Sequence, residues 1–125
     1  IDMTKDLPWH VEIGRELAAL RRRGVLILGS GNIVHNLRAM RLGRQPYDWA
    51  SAFDASFARN LEARDLAALS DRDGMGPLLR LAHPTLDHYL PALTVAGAAD
   101  RRDELLFMNE SIDIASVSMR SFVLF

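Results

Sequence analysis

Four histidines and no cysteine limit the chemistry open to this chain. Thiolate nucleophiles, thiolate metal sites and disulfides are excluded, and imidazole is the side chain whose ordinary pKa suits proton transfer near neutral pH and which can also hold a metal. His35 stands in "LILGSGNIVHNL", where the apolar run Val25-Leu26-Ile27-Leu28 gives way to Gly29-Ser30-Gly31. A short, branched-rich run without charge reads as a strand buried on both faces. Open α/β sheets collect their ligands just beyond the carboxyl ends of such strands. The two glycines read as a sharp turn, and His35 follows it as a candidate site residue. His88 stands in "HPTLDHYLPAL", three residues before Pro91. Inside a helix Pro91 would lose the bond to the Asp87 carbonyl and press against it, so the sequence predicts a kink that turns His88 out of the regular stripe.

The other candidates are graded by their surroundings. His83 precedes Pro84 and is biased towards an extended conformation, which fits a capping or hydrogen-bonding role. His83 and His88 are five residues apart, so they are not the i, i+4 pair that shares a metal on one helix face. His10, beside Trp9 in the first turn of a helix, reads as a partly buried structural residue. Asn32, Asn36 and Tyr89 flank His35 and His88 and are residues that would orient them or touch substrate. Two imidazoles can serve a metal, an acid–base pair, or both. A mononuclear catalytic metal takes three protein ligands and an open position, so these residues fall at least one ligand short. Nucleotide binding is disfavoured. The third glycine of a dinucleotide fingerprint is Val34 here, no acidic residue follows at the needed distance, and no Gly-Lys-Ser/Thr exists.

The elements that must position these residues can be read in outline. Asp6-Leu7-Pro8 reads as a helix start, with a helix over 8–23 whose buried stripe is Ile13, Leu17 and Leu20. Gly24 ends it, and a strand follows over 25–28. The loop 40–48 leads to a helix capped by Asp48, with Phe53, Phe57 and Leu61 on its apolar face. A short helical piece lies within "ARDLAALSDRDGMG", and a longer helix is expected over 85–98. The end of the chain is β: "ELLFM" (104–108) is one strand. In "SVSMRSFVLF" Val117, Met119, Val123 and Phe125 are expected to face inward, while Ser116, Ser118 and Arg120 face out.

A chain of 125 residues makes one domain at most, and a formal net charge of −1 gives no reason to expect nucleic acid or an anionic membrane as partner. No apolar stretch approaches the roughly 20 residues of a membrane helix and no signal peptide is evident, so a cytoplasmic protein is the default expectation. The opening "IDMTKDLPWH" has no initiator methionine and reads as a piece cut from something longer. About three strands are few for a sheet covered on both faces, which strengthens that reading.

The stretches "WHVEIGRELAALRRRGVLILGSGNIVHNLR", "ARDLAAL", "HPTLDHYLPALTVAGAA" and "SVSMRSF" together resemble the C-terminal half of a class III extradiol ring-opening dioxygenase of the DOPA-dioxygenase type. The resemblance covers nearly the whole chain. It implies an α/β fold with a central mixed sheet flanked by helices, of which residues 1–125 form the C-terminal portion of one catalytic domain. The implied activity is metal-dependent extradiol cleavage of a catecholic ring with O₂, giving a muconate-semialdehyde-type product. Fe(II) is the metal the family leads one to expect, and Zn(II) occupies some relatives. His35 matches the histidine of the family's glycine-rich motif, an acid–base residue that also serves as a ligand in some members. His88 matches the third metal ligand, where better-known branches carry glutamate. The other two ligand histidines lie in Gly-His-Gly-Ser and Ser-Ala-His-Trp motifs of an N-terminal half, and neither motif occurs in these residues. The implied partners are a catecholic small molecule, O₂ and that N-terminal segment, without which the fragment would be inactive; a homo-oligomer is compatible. Two readings from other classes stand beside this one. A truncated, non-catalytic binding homologue would take up no metal, and a zinc-dependent hydrolase on a similar frame would ignore O₂.

Overall fold

Asp6 does open the first helix. Its carboxylate accepts the Trp9 N–H at 2.9 Å, and Pro8 lies in the first turn, where its missing N–H costs nothing. In the computed structural model, which describes residues 1–125, this helix (α1) spans Leu7–Arg21. Its buried stripe is Leu7, Val11 and Gly14, while Ile13, Leu17 and Leu20 are only half-buried. Glycine decides the phase. A Cβ on Gly14 would stand 2.1 Å from the Thr94 carbonyl oxygen, and one on Gly97 would stand 2.2 Å from that of Val11. The backbones of α1 and α5 (Leu90–Gly97) therefore meet directly along the glycine side, which turns Ile13 and Leu17 to the flank. His10 is completely buried rather than partly so. Its Nδ1 lies 2.8 Å from the Asp6 carbonyl and its Nε2 accepts the Asp2 N–H at 3.2 Å, which ties the N-terminal residues to α1.

The second helix, α2 (Asp48–Glu62), buries Phe53, Phe57 and Leu61 as expected. Asp48 is its first residue rather than its cap; Tyr47 holds the cap position and makes no side-chain bond there. Helices α3 (Leu66–Ser70) and α4 (Arg72–Ala82) start at aspartate caps, with Asp65 accepting from Ala68 and Asp71 from Gly74. Helix α4 breaks at Gly76, whose φ of 50° and ψ of −129° only glycine adopts readily.

The helix expected over 85–98 is shorter, and Pro91 gives the reason. It sits in the first turn of α5, so no helix is kinked at His88 and residues 83–89 form the turns that lead into α5.

The α/β class holds; in place of a central mixed sheet, the strands of this chain form two small antiparallel pairs. Strand β1 (Leu105–Met108) pairs with β4 (Ser121–Leu124), setting Leu105 opposite Leu124, and β2 (Ile112–Asp113) pairs with β3 (Val117–Ser118). Residues 25–28 do not form a strand buried on both faces. They belong to no regular element, Leu26 and Leu28 are 81% and 84% exposed, and no backbone N–H from Leu26 to Val34 donates to another backbone group. A strand needs a hydrogen-bonding neighbour, and no segment of this chain runs beside this one.

The ending also corrects its predicted alternation. Ser116 and Ser118 are fully buried, Met119 and Phe125 are 41% and 62% exposed, and the Arg120 side chain is almost wholly covered. Strands β3 and β4 belong to different sheets, and buried Asp54 of α2 draws Ser118 and Arg120 inward, reversing the phase there. The apolar core lies between α2, α3 and α5, around Phe53, Phe57, Leu61, Leu69, Tyr89 and Leu93.

Candidate active site

The segment Ile33–Asn36 is clamped on both sides. The His35 N–H donates to the Ala82 carbonyl at the end of α4 at 2.9 Å. On the other side, Ser118 N–H donates to Val34 O at 2.9 Å, Asn36 N–H to Ser116 O at 3.1 Å, and His35 makes an isolated bridge with Val117. The glycines before it serve a purpose the sequence did not show. Neither Gly29 nor Gly31 has a positive φ. Instead a Cβ on Gly31 would stand 2.2 Å from the His88 carbonyl oxygen, and one on Gly29 would stand 2.9 Å from that of Pro91. The run 29–31 can lie against the start of α5 only because it has no side chains at these two points.

That close approach brings His35 and His88 together. Their rings stack with centroids 3.5 Å apart and planes inclined by 8°. Both side chains are half-buried, and His88 lines a cavity of about 620 Å³ bounded by residues 25–29, by β4 and by Arg120. Burial, and secondarily the neighbouring His88, push the His35 pKa below its ordinary value. The Asp87 carboxylate lies 3.7 Å from His88 Nε2, and the Thr85 hydroxyl holds that carboxyl below the usual range. Asn32 stands on the other side of the ring, with its Oδ1 3.1 Å from His88 Nδ1 and its Nδ2 donating to the Ser118 carbonyl at 2.9 Å.

The remaining predicted residues have their polar groups directed elsewhere. Asn36 donates to the Leu81 carbonyl at 2.7 Å and accepts the Ala39 N–H at 3.2 Å, capping a short 3₁₀ turn over Leu37–Ala39. Tyr89 is fully buried and donates to the Leu69 carbonyl at 2.8 Å, and burial raises its pKa. His83 is buried among Phe53 and Tyr89. Its Nε2 donates to the Ile33 carbonyl at 2.7 Å, its Nδ1 meets no partner, and burial lowers its pKa to about 4. His83 thus supports the peptide two residues before His35.

Sequence reasoning missed one cluster. Asp54 accepts from Ser118 Oγ at 2.6 Å and from Arg120 Nε and Nη2 at 3.0 and 2.7 Å. Glu110 takes the other side of the guanidinium at 2.6 Å. The available signal was an acid between Phe53 and Phe57 on a buried helix face, where a carboxylate requires a partner.

No group of three or more His, Asp or Glu side chains in the chain is arranged to hold a metal ion. Stacked, near-parallel imidazoles also present their in-plane lone pairs side by side rather than to one point. The donor set therefore fits a share of a metal centre, one imidazole with a second alongside, and not a whole one.

An α/β frame that presses a glycine run against a helix start to pair two half-buried imidazoles defines a histidine-centred site beside a cavity. The particular family follows from comparison: residues 4–120 match the model of the catalytic LigB subunit of aromatic ring-opening dioxygenase, and the chain belongs to that family. It is 40% identical over 129 residues to a 4,5-DOPA dioxygenase extradiol of Escherichia coli (strain K12), covering 97% of this chain and 46% of that protein. A 4,5-DOPA dioxygenase extradiol of Beta vulgaris is 30% identical over 118 residues, covering 90% of this chain and 42% of that protein. A crystal structure of an uncharacterized Escherichia coli K12 protein superposes with a TM-score of 0.83 at 39% identity, over 98% of this chain and 52% of that one. The chain spans about half the length of the relatives it matches. No helix is long and apolar enough to cross a membrane.

Proposed function

We propose that this chain is the C-terminal portion of an extradiol dioxygenase domain and contributes one metal ligand and the proton-transfer residue to a site completed by an N-terminal segment. The observation that carries the reading is the stacked pair His35–His88 beside the cavity, in a chain of the ring-opening dioxygenase family. His88 is the ligand, through Nε2. A non-haem Fe(II) ion held by His88 would supply the redox-active, positive centre that catechol cleavage with O₂ needs, whereas Zn(II) on the same ligand would supply only Lewis acidity. His35 takes the proton from a catechol hydroxyl. Its lowered pKa leaves the ring nitrogen free to accept at neutral pH, and the stacked ring opposes a second positive charge beside a metal. Water is limited on one side by the apolar walls of the cavity, Ile33, Val95 and Phe122 among them. The product is of the muconate-semialdehyde type, and the relatives' names make DOPA the first catechol to try.

Two features support a completing segment. The run 26–28 offers unpaired backbone N–H groups and exposed leucines along one wall of the cavity, and β4, its opposite wall, pairs only with β1. Unpaired extended edges are ready templates for added strands. The arrangement also leaves the metal short of ligands within this chain.

The test is oxygen uptake with Fe(II) and DOPA, measured on this chain alone and on the chain joined to the segment encoded upstream of it. The expected result is no uptake by the first and uptake with a yellow product by the second. A joined protein that folds, binds metal and consumes no oxygen with any catechol overturns the reading. In that case hydrolysis by the Zn(II) form is assayed next, and metal-free stability with no turnover would assign a binding role.

A further inference from the structure

His88 can act as a ligand through Nε2 only if its proton sits on Nδ1, and the surroundings decide which nitrogen carries it. The deciding group is a backbone carbonyl, which can only accept. Asn32 faces the Ser118 carbonyl at 2.9 Å, so its amino group must point there. The opposite end of the amide, 3.1 Å from His88 Nδ1, is then the oxygen, which also only accepts. In neutral His88 the nitrogen facing that oxygen carries the proton, and the lone pair is left on Nε2. Each step is forced by the one before it, back to a peptide group that cannot flip.

That peptide group is itself held firmly. Ser118 donates its N–H to Val34 O at 2.9 Å and its hydroxyl to buried Asp54 at 2.6 Å, and its Oγ accepts the Arg120 N–H at 3.1 Å. Asp54 is fixed in turn by the two-pronged Arg120 guanidinium. A carboxylate on α2 is thereby linked through Ser118 and Asn32 to Nδ1 of His88.

We propose that Asn32 is a positioning residue that locks His88 in the Nδ1–H form, with Ser118 and Asp54 as its anchor, so that Nε2 is ready for a metal before any metal arrives. The functional meaning rests on the reading of His88 as a ligand; the proton's location does not. Residues that orient metal ligands in this way are worth 10- to 100-fold in metal affinity or activity.

The test is two-bond ¹H–¹⁵N correlation of the histidine rings of this chain at pH 8.5, without metal or substrate. The wild-type His88 is expected to show a protonated Nδ1 and an unprotonated Nε2. Asn32→Asp keeps an acceptor oxygen opposite Nδ1 and should preserve that form, while its second oxygen opposes the Ser118 carbonyl and loses that anchor. Asn32→Ala, which removes the acceptor oxygen, should shift His88 towards the Nε2–H form that free imidazole side chains favour in water. In the chain joined to the proposed N-terminal segment, Asn32→Ala should weaken Zn(II) binding about 10- to 100-fold. Protonation of Nε2 in the wild type overturns the proposal whatever becomes of the variants, as does an unchanged tautomer in folded Asn32→Ala. A correct tautomer with no oxygen uptake would leave this inference standing and remove the dioxygenase reading instead.

Discussion

His83 and His88 are five residues apart and share a residue type, yet their neighbourhoods are opposites. His83 is buried among aromatic rings, holds the Ile33 carbonyl and is pushed to a pKa of about 4 by burial. His88 is half-buried, stacks on a second imidazole and lines a cavity. The turns before α5 separate them, directing one ring into the core between α2 and α5 and the other to the rim. The contrast teaches that imidazole type and spacing do not distinguish support from chemistry; the direction of the ring and the fate of its second nitrogen do.

The sharpest break of that comparison is on the rim. His35→Ala in the chain joined to the proposed N-terminal segment should lower turnover by about 10²- to 10⁴-fold, the usual share of a general acid–base group. The urea midpoint should barely move. A large loss of stability with little loss of turnover would place His35 on the supporting side.

Next in size is Gly31→Ala, because the new methyl would meet the His88 carbonyl at 2.2 Å. The glycine run must back away from α5, at a cost on the order of 3 kcal/mol. Urea denaturation should show the loss, and the ring-current shifts from the His35–His88 stack should disappear with it.

The core side is tested by pH. His83 has a pKa of about 4 when folded, against an ordinary value of 6.5. Between these values the unfolded chain binds more protons, so stability is complete above about 6.5 and falls as pH drops through the window. The loss should total on the order of 3 kcal/mol, and the lowered pKa of His35 acts in the same direction. Denaturation midpoints from pH 7 to 4 measure this. His83→Asn should flatten the slope if it folds, and a profile that is already flat in the wild type would contradict the account.

The smallest effect is Tyr89→Phe, which strands the Leu69 carbonyl at about 1–2 kcal/mol. Metal affinity should be unchanged, which separates Tyr89 from the rim residue next to it in sequence.

Much of this was legible in the sequence, for stated physical reasons. Asp6 and Pro8 announced α1, the Phe53–Phe57–Leu61 spacing announced α2, and the resemblance carried His35 and His88. Local chemistry suffices for caps and stripes. It failed where a residue's meaning depends on what comes to lie against it. Gly14, Gly29 and Gly31 are close-contact glycines, and only the packed partner shows that. Pro91 starts a helix rather than kinking one, because the turns before it end the preceding segment. Ser118 and Arg120 looked outward by alternation and turn inward because Asp54, more than sixty residues earlier, waits there. The run 25–28 has strand character in its residues, and no neighbour in this chain makes it one.

The most direct test of the central claim, that the stacked pair His35–His88 forms the working site, is calorimetric titration of Zn(II) into the chain joined to the proposed N-terminal segment. The account predicts that His88→Ala weakens binding by at least about a hundredfold, more than loss of an orienting residue would, while Tyr89→Phe binds as the wild type does. Equal affinity in wild type and folded His88→Ala would contradict it.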